Sequence, residues 1–467
     1  MSTELLNLTA GEASKMLAAK KVSPVELLDA FLGRIDEVDE KIHSYILVTA
    51  EQARERAQAA EKEILAGDYK GLLHGIPYAV KDNYFTKGIR TCVASRVLMD
   101  HVPDFDSTVI GKLDQAGAVM LGKLNTWEYG TGTGSVHFDL PFEPARNPWN
   151  TDYITGGSSS GSGASVAGRT AMVSMGSDTG GSVRLPAAAC GLQGLKPTYG
   201  RISKYGILPN CWSLDVAGPL CWTVEDCAIM LQAVAGYDPK DSASLDVAVP
   251  DYMAELGKGV KGLKIAYVSD LGNSNDLLDM ANRVAFEHMI QVLRSEGAEL
   301  VEVKLPTSLS DYRDANGIIG QVESYSLHEK EFLQSAHLMG QALRDKLTSG
   351  FMYRAVDYVN AQRRRKALAM ATDELIQNYD ALIMPCALHT APKYGNDAHV
   401  KAFTTDTACP VFNISGHPAM SICTGFDGNG LPTNAQIVGK WLDEAMVLRV
   451  GHAFERATDF RKTRPAL

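Results

Sequence analysis

The segment Thr179-Gly180-Gly181-Ser182 places a nucleophile after two residues that lack a Cβ atom. A serine hydroxyl can attack a carbonyl carbon, and two glycines allow a turn whose backbone N–H groups point toward one place. Converging donors of this kind stabilise the oxyanion of a tetrahedral intermediate, and losing one donor can cost about 3 kcal/mol of transition-state stabilisation. The segment therefore meets the requirements of a serine nucleophile beside an oxyanion hole.

Lys81 is a candidate for the base that such a serine needs, because a serine alone is a weak nucleophile. It ends a short apolar run, residues 75–81, and is followed by Asp82 and Asn83. An ammonium group can act as a base only if it loses its proton near neutral pH, and burial lowers a lysine pKa by up to several units. Ser–Lys pairs are recognised alternatives to the histidine triad. A Lys-Asp dipeptide is most often a surface pair, however, so composition and spacing leave the role of Lys81 open.

A second glycine- and serine-rich stretch, residues 156–164, allows several interpretations. Such a run is often a flexible linker, but this one lies between apolar segments and precedes a small-residue helix candidate at 164–175. A phosphate-binding loop would end in Gly-Lys-Ser/Thr, which is missing, and a dinucleotide fingerprint needs glycine where Val166 stands. Residues 157–161 match the nucleophile-elbow pattern G-x-S-x-G, which would make Ser159 the nucleophile of a histidine triad. The candidate histidines, in chain order, are His389, His417 and His452.

The elements that position these groups follow from the spacing of apolar residues. Short apolar runs indicate strands, and they alternate with longer stretches of helical periodicity. The predicted strands cover residues 75–81, 116–121, 263–268, 299–305 and 381–385. The predicted helices cover most of residues 1–65, then 164–175, 275–296 and 354–379. This alternation favours an α/β layered fold with a largely parallel or mixed sheet.

Three capping-box patterns mark helix starts within the first 65 residues. They begin at Thr9, Ser23 and Thr49, and each has Glu or Gln three residues later. Pro24 follows the second of them, in the first turn, where a helix tolerates proline.

Composition narrows the functional classes. The chain has 467 residues, with 45% hydrophobic and 21% charged residues, which is typical of a globular protein. The net charge of −10 offers no basic stripe for a nucleic acid, and the basic residues 363–366 fit a solvated helix face better. We find no apolar run of about 18 residues and no signal-peptide core, so we expect a cytoplasmic protein that does not bind membranes. The eight cysteines are scattered without metal-binding spacing, so we expect reduced thiols and no metal site.

Four motifs together resemble those of the amidase signature family. They are GIPYAVKDNY at 75–84, GGSSSGSGA at 156–164, GSDTGGSVRLPAAACGLQGLKPTYGRIS at 176–203 and DVAGPL at 215–220. Weaker matches at 117–130, 147–149, 413–422 and 430–439 extend the resemblance over nearly the whole chain. Lys81, Ser158 and Ser182 fall in three separate motifs, and this combination is highly specific.

The resemblance implies a Ser–Ser–Lys triad. Ser182 is then the nucleophile, Ser158, after a cis peptide bond, relays the proton, and Lys81 is the base. The backbone N–H groups of residues 179–182 are then the oxyanion hole. The relay first takes the proton from Ser182 and then returns it to the leaving nitrogen, after which water hydrolyses the acyl-enzyme. The resemblance also implies substrate-binding roles for Ser159, Thr179, Gly180, Gly181, Gly130 and Thr131, and loop-bracing roles for Asp178 and Arg184. It implies no metal or cofactor.

The resemblance further implies one compact α/β/α domain, residues 1–467, around a mixed sheet of about eleven strands. We expect it to comprise an N-terminal helical region (1–65), a signature core (75–220) and a remainder of the same domain (221–467). A homodimer is the expected oligomer.

The expected activity is hydrolysis of a non-peptide amide C–N bond through an acyl-enzyme. We expect a small aryl or alkyl amide as the substrate and no nucleic acid partner. One alternative is a urea-type amide of the allophanate or biuret kind. Another is the amidase subunit of a glutamine-dependent tRNA amidotransferase, which feeds ammonia to a partner. A catalytically silent scaffold of the same fold is a third, although all three triad residues are present.

Four variable segments are predicted to form the substrate pocket, and they cover residues 127–135, parts of 205–216, 315–360 and 400–417. Five large side chains could line an apolar acyl or aryl site, although core packing is the ordinary role of such residues. They are Trp127, Tyr129, Phe351, Tyr353 and Phe403.

Overall fold

The computed structural model describes residues 2–131 and 139–467, so the part of the predicted pocket segment at 132–135 lies outside the described residues. The strands are β1 Tyr45–Val48, β2 Pro77–Lys81, β3 Val119–Leu124, β4 Val173–Asp178, β5 Gln193–Lys196, β6 Val216–Cys221, β7 Lys264–Tyr267, β8 Glu299–Glu302, β9 Ala381–Met384, β10 Ala419–Phe426 and β11 Pro432–Val438. The helices are α1 Ser2–Asn7, α2 Ala10–Ala18, α3 Pro24–Ile42, α4 Ala50–Ala66, α5 Thr108–Gln115, α6 Ser160–Ala167, α7 Arg184–Cys190, α8 Val224–Val234, α9 Met280–Ser295, α10 Leu309–Ser335, α11 Gln341–Met352, α12 Ala355–Ile376, α13 Asp397–Thr405, α14 Pro410–Ser415 and α15 Glu444–Arg456. Within the described ranges, no helix has the length and apolarity needed to span a membrane.

The eleven strands of the described ranges form one sheet, in the order β1-β3-β2-β4-β6-β5-β10-β11-β9-β7-β8. β2 pairs in parallel with β3 and β4, and β7 pairs in parallel with β8 and β9. The remaining neighbours are antiparallel. The predicted α/β fold with a mixed sheet of about eleven strands is therefore confirmed.

Helices cover both faces of this sheet, because alternate residues of its strands pack into different cores. On β9, Ala381 and Ile383 belong to a core that also holds residues of α2, α3, α8, α9 and α15. Leu382 and Met384 point to the opposite face and pack with residues of α10, α12 and α14. The result is the α/β/α layering that the resemblance implied.

Two of the three predicted capping boxes form. The hydroxyls of Thr9 and Ser23 accept from the backbone N–H three residues on, and the glutamate at that position accepts from the cap N–H. Thr49 precedes α4 but makes no cap hydrogen bond from its side chain, so this prediction is wrong. Its hydroxyl instead donates to the carbonyl of Met120, because β1 leads directly into α4 alongside β3.

The predicted helix at 164–175 is also wrong in extent. α6 ends at Ala167, and the left-handed φ of 62° at Arg169 breaks the helical path. Val173 then begins β4, which lies between β2 and β6 in the sheet. The predicted helical stretch 1–65 is similarly interrupted by β1, whereas the five predicted strands correspond to β2, β3, β7, β8 and β9.

Strand direction brings the chemically interesting residues together. β2 and β4 are parallel neighbours, so their carboxyl ends, Lys81 and Asp178, lie at the same edge of the sheet. β6 runs the other way, and its first residue, Val216, is paired with Asp178. The residues just after β2 and β4 and just before β6 therefore meet at this edge, as ligand sites commonly do in α/β sheets.

Candidate active site

Lys81 lies fully buried at the end of β2 and contacts two serines. Its Nζ is 2.6 Å from Ser158 Oγ and 3.0 Å from Ser177 Oγ. Burial lowers the pKa of Lys81 to about 7, although the nearby charges of Asp215 and Asp178 work to raise that pKa. A lysine in this state is neutral in a large fraction of molecules at neutral pH and can accept a proton from Ser158.

Ser158 is fixed by its own backbone. The peptide bond between Gly157 and Ser158 is cis, as the resemblance implied. The carbonyl of Ser158 accepts hydrogen bonds from the N–H of Trp127 at 3.0 Å and from the hydroxyl of Thr126 at 2.9 Å. These contacts hold the serine with its Oγ toward Lys81.

Ser182 lies between β4 and α7 and is partly exposed to a cavity. Its carbonyl accepts from the N–H of Ser159 at 3.3 Å, which joins the two serine-rich segments. Its Oγ makes no hydrogen bond to a protein group in the part of the chain that the structure describes. The hydroxyl is therefore available to a ligand, and hydrogen bonds of a catalytic relay often tighten only when substrate is present.

The predicted oxyanion hole of four N–H groups loses one member. The N–H of Gly181 donates to Asp178 Oδ1 at 2.8 Å, so it is already satisfied. The N–H groups of Thr179, Gly180 and Ser182 have no acceptor among the described residues. Gly181 instead has a conformational role, since its φ is 130° and an added Cβ would lie 2.8 Å from the Cβ of Cys409.

Asp178 and Arg184 form a fully buried ion pair beneath this loop. The guanidinium donates to both carboxylate oxygens, from Nε at 3.1 Å and from Nη2 at 3.0 Å. The same carboxylate accepts from the N–H groups of Gly181 and of Val183, at 2.8 and 3.1 Å. The pair therefore ties the nucleophile loop to the first turn of α7, which agrees with the bracing role implied by the resemblance.

The cavity beside Ser182 has a volume of about 370 Å³, and its wall combines polar side chains with apolar surface. Asn210 donates to the carbonyl of Gly130 at 3.2 Å and to Thr179 Oγ1 at 3.3 Å. Lys346, on α11, lines the cavity and donates to the side-chain oxygen of Asn210. The predicted segments 205–216, 315–360 and 400–417 all contribute lining residues.

The prediction of an aromatic pocket is largely wrong. Trp127 lines the cavity, but Phe403 belongs to a buried core cluster and Tyr129 packs with a small cluster that includes Met339. Phe351 and Tyr353 lie on the surface at the end of α11, with exposed fractions of 62% and 37%. Apolar character alone did not distinguish a core position or a helix end from a cavity wall.

Two predicted substrate-binding residues lie elsewhere. Ser159 is fully buried, and its hydroxyl donates to the carbonyl of Ser177, so it supports β4 instead of facing the cavity. Gly130 lines the cavity, whereas Thr131 is buried outside the lining. Burial also removes the support for Ser159 as the nucleophile of a histidine triad.

The three histidines proposed for that triad are engaged elsewhere. His417 faces Asp373 at 3.1 Å, and His452 faces the carbonyl of Leu256 at 2.6 Å. His389 lines a different cavity.

Three contributors to the site escaped the sequence analysis. Ser177 is hydrogen-bonded to Lys81 and lies within the motif at residues 176–203, so its place in that motif could have indicated a role in the site. Asn210 and Lys346 lie in segments predicted as variable, and nothing in their local sequence distinguished them from surface residues.

Comparison with known proteins agrees with this geometry. The family model described as Amidase matches residues 26–448. A glutamyl-tRNA(Gln) amidotransferase subunit from Carboxydothermus hydrogenoformans is 37% identical over 99% of this chain and 100% of its own.

Two solved structures have the same fold. One, from a study of a vestigial complex and the origins of an s-triazine catabolic enzyme, is 29% identical with a TM-score of 0.89, covering 98% of this chain and 100% of its own. The other, a glutamyl-tRNA(Gln) amidotransferase subunit from Thermotoga maritima, is 30% identical with a TM-score of 0.78, covering 98% of this chain and 94% of its own.

Proposed function

The chain belongs to the amidase signature family, and we propose that it hydrolyses the primary carboxamide of a small substrate that carries a carboxylate, glutamine being the first candidate. The observation that carries this proposal is a lysine, Lys346, in the wall of the same cavity that exposes Ser182. Together they provide a nucleophile for the amide and a cation for a carboxylate.

The charge of Lys346 is not neutralised by an adjacent carboxylate. Its one hydrogen-bond partner in the described ranges is the side-chain carbonyl of Asn210. Lys346 forms no ion pair with an Asp or Glu there, although the charge of Asp215 is near enough to work to raise the pKa of Lys346. Arg313 also lines the cavity, but it is paired with Asp406 at 3.1 Å. A cation in a partly desolvated pocket attracts an anionic group far more strongly than one in water does.

The proposed reaction uses the serine–lysine relay in both directions. Ser182 Oγ attacks the carboxamide carbon while its proton passes to Ser158 and the Ser158 proton passes to Lys81. The developing oxyanion accepts from the free N–H groups of residues 179–182. The relay then returns the proton to the nitrogen, the C–N bond breaks, and ammonia leaves. Water attacks the acyl-enzyme by the same relay and releases the carboxylic acid.

Relatives named as amidotransferase subunits extend the proposal to a complex. Because glutamyl-tRNA(Gln) amidotransferase subunits match nearly the whole chain at 37–39% identity, we propose that the ammonia passes to a partner that modifies a tRNA-bound amino acid. The sequence-based prediction of no nucleic acid partner is contradicted by these relatives, whose names place them in an enzyme of tRNA. Acidic net charge was a poor guide, since one subunit can supply chemistry while another presents the basic surface.

A free-standing hydrolase of urea-type or other small amides is the second candidate. The structure associated with s-triazine catabolism superposes more closely than the Thermotoga maritima structure, with TM-scores of 0.89 and 0.78. An ammonia-release assay separates the two functions. Turnover of glutamine by the purified chain supports the first, whereas turnover of biuret without glutamine supports the second.

Replacing Lys346 with methionine tests the carboxylate assignment. We expect KM for glutamine to rise roughly 30-fold with kcat within about threefold, because one charge-assisted hydrogen bond contributes about 2 kcal/mol. Butyramide, which lacks the charged end, should show unchanged kinetics and serves as the control substrate. Equal effects of the substitution on both amides would contradict the assignment.

The pH profile should report the two lysines separately. Lys81 is a base only when neutral, so activity rises with pH through its pKa of about 7. Burial lowers the pKa of Lys346 to about 8, so its attraction for a carboxylate is present below that pH and is lost above it. We expect kcat/KM for glutamine to peak between these values and that for butyramide to show only the rising limb. A falling limb for both amides would count against Lys346.

A further inference from the structure

A second cavity, of about 180 Å³, lies beside the catalytic relay and shares no lining residue with the substrate cavity. Its wall includes Ser177 and Asn83. Asn83 Nδ2 donates to Ser177 Oγ at 3.1 Å, and Ser177 Oγ is 3.0 Å from the Nζ of Lys81. The wall of this cavity is thus one hydrogen bond from the catalytic base through Ser177, and two through Asn83.

The greater part of this wall is apolar and aromatic. Tyr205, Ile207, Pro209, Trp212 and Val216 contribute to it, and Trp212 is 52% exposed. An apolar cavity of about 150 Å³ is enough to hold a benzene molecule in a protein interior. The size and lining of this cavity therefore suit a single aromatic ring system.

One polar atom of the wall lacks a partner. Asn83 is 5% exposed, and its Oδ1 accepts no hydrogen bond from the residues that the structure describes. Buried acceptors are rarely left unsatisfied in folded proteins, and such a group commonly marks the place of a water or a ligand. Because Asn83 lines the cavity, a hydrogen-bond donor on a ligand bound there could satisfy this oxygen.

The charged groups of the wall are two lysines and two aspartates, each held by contacts within the protein. Lys204 donates to the carbonyl of Trp212 at 2.7 Å, and Lys240 lies over the ring of Tyr205 at 5.0 Å. Asp215 accepts from Thr179 Oγ1 and from the N–H groups of residues 210 and 211. Asp241 accepts from the N–H groups of Lys204 and Ala243. Because two ammonium groups and two carboxylates line the wall, their formal charges balance, and the cavity favours a neutral ligand with one donor over an anion or a cation.

We propose that this cavity binds a small neutral aromatic molecule with one N–H or O–H donor, and that occupancy acts on the relay through Asn83 and Ser177. A ligand that donates to Asn83 Oδ1 polarises the side-chain amide and so strengthens the hydrogen bond from Asn83 Nδ2 to Ser177 Oγ. The same Ser177 oxygen is bonded to Lys81 Nζ, so the effect reaches the base. The consequence is a change in kcat that does not depend on substrate affinity. The proposed effect on kcat rests on the proposed hydrolysis, whereas the proposed binding of the aromatic molecule does not.

Indole and benzofuran are matched probes, since benzofuran has nearly the same size and shape but carries an oxygen in place of the N–H donor. Binding is measured by saturation-transfer NMR and calorimetry on the Ser182→Ala protein, which cannot turn over an amide. We expect saturable binding of indole, at least fivefold tighter than that of benzofuran, and its loss in Ile207→Trp, which fills the cavity. Should Ile207→Trp fail to fold by circular dichroism, Trp212→Ala, which removes one wall, should weaken indole binding at least fivefold.

Each of these measurements can contradict the proposal. Equal affinity for the two probes removes the donor assignment, and binding that survives the variant excludes this cavity. With wild-type protein and a turned-over amide, indole should change kcat at constant KM. An increase in KM alone would place indole in the substrate cavity instead. If the protein hydrolyses no amide, the proposed function and the proposed effect on kcat are both wrong. The binding measurements would still show whether the cavity binds the aromatic probe.

Discussion

Ser182→Ala lowers kcat for amide hydrolysis by at least about 10⁴-fold, because no other group in the proposed reaction can form the acyl bond. The fold should be unaffected. Ser182 Oγ makes no hydrogen bond to a protein group in the described ranges, so its loss leaves no buried partner unsatisfied. We expect the free energy of unfolding to stay within about 0.5 kcal/mol of the wild-type value. Ammonia release and urea denaturation measure the two quantities on the same preparations.

Ser160→Ala is the matched control for this variant. Ser160 begins α6 in the same serine-rich region and is buried, but it takes no part in the contacts among Lys81, Ser158 and Ser177. The kcat of the Ser160→Ala variant should stay within about threefold of the wild-type value. Activity of Ser182→Ala within tenfold of wild type would show that another residue is the nucleophile.

The relay was predictable because it depends on residues inside contiguous motifs. Lys81, Ser158 and Ser182 come from three separate segments, and each motif carries its residue at a fixed place. Lys346 and Asn210 were not predictable in this way. They meet because α11 packs against the segment after β5. This contact joins distant parts of the chain and produces no recognisable pattern in the sequence around either residue.

The strands that the sequence analysis missed lie mainly in the middle of the sheet. β4 has the sequence VSMGSD, which lacks both a long apolar run and a clear alternation, yet all six of its residues are buried. Its polar side chains are satisfied by tertiary hydrogen bonds, for example from Ser174 Oγ to the carbonyl of Ser162. β11, PTNAQIV, is likewise buried throughout and contains Asn434 and Gln436. Hydrophobicity patterns therefore fail to identify strands whose buried polar side chains are satisfied by hydrogen bonds within the protein.

The composition of the pocket escaped prediction for a related reason. Hydrophobicity identified aromatic residues near the site but not the direction in which they point. Tyr129 has a φ of 51°, a left-handed conformation, and its ring packs edge-on against His328 instead of facing the cavity. Polar residues brought in by α10 and α11 take its place in the cavity wall.

Arg184→Met should lower the free energy of unfolding by about 3–5 kcal/mol, because it leaves the buried carboxylate of Asp178 without its cation. Arg184 is fully buried, and besides Asp178 it bonds to the carbonyl of Cys409, to Gln436 Oε1 and to Asn413 Oδ1. All of these acceptors lose a donor in the variant. Urea denaturation at pH 7 measures the loss, and Arg354→Met, which breaks an exposed ion pair with Asp357, should change stability by less than about 1 kcal/mol.

The pH dependence of stability identifies the cause of this loss. Burial works to raise the pKa of Asp178, but the charge and hydrogen bonds of Arg184 hold that pKa well below its usual range. In the wild type, this contribution is therefore present at neutral pH and is lost only as the pH falls below the ordinary carboxyl range. Without Arg184, burial dominates and the pKa of Asp178 rises, so the variant should gain stability between pH 7 and pH 5 relative to wild type. Adding Asp178→Asn should recover part of the loss at pH 7, and parallel pH profiles for wild type and Arg184→Met would contradict the assignment.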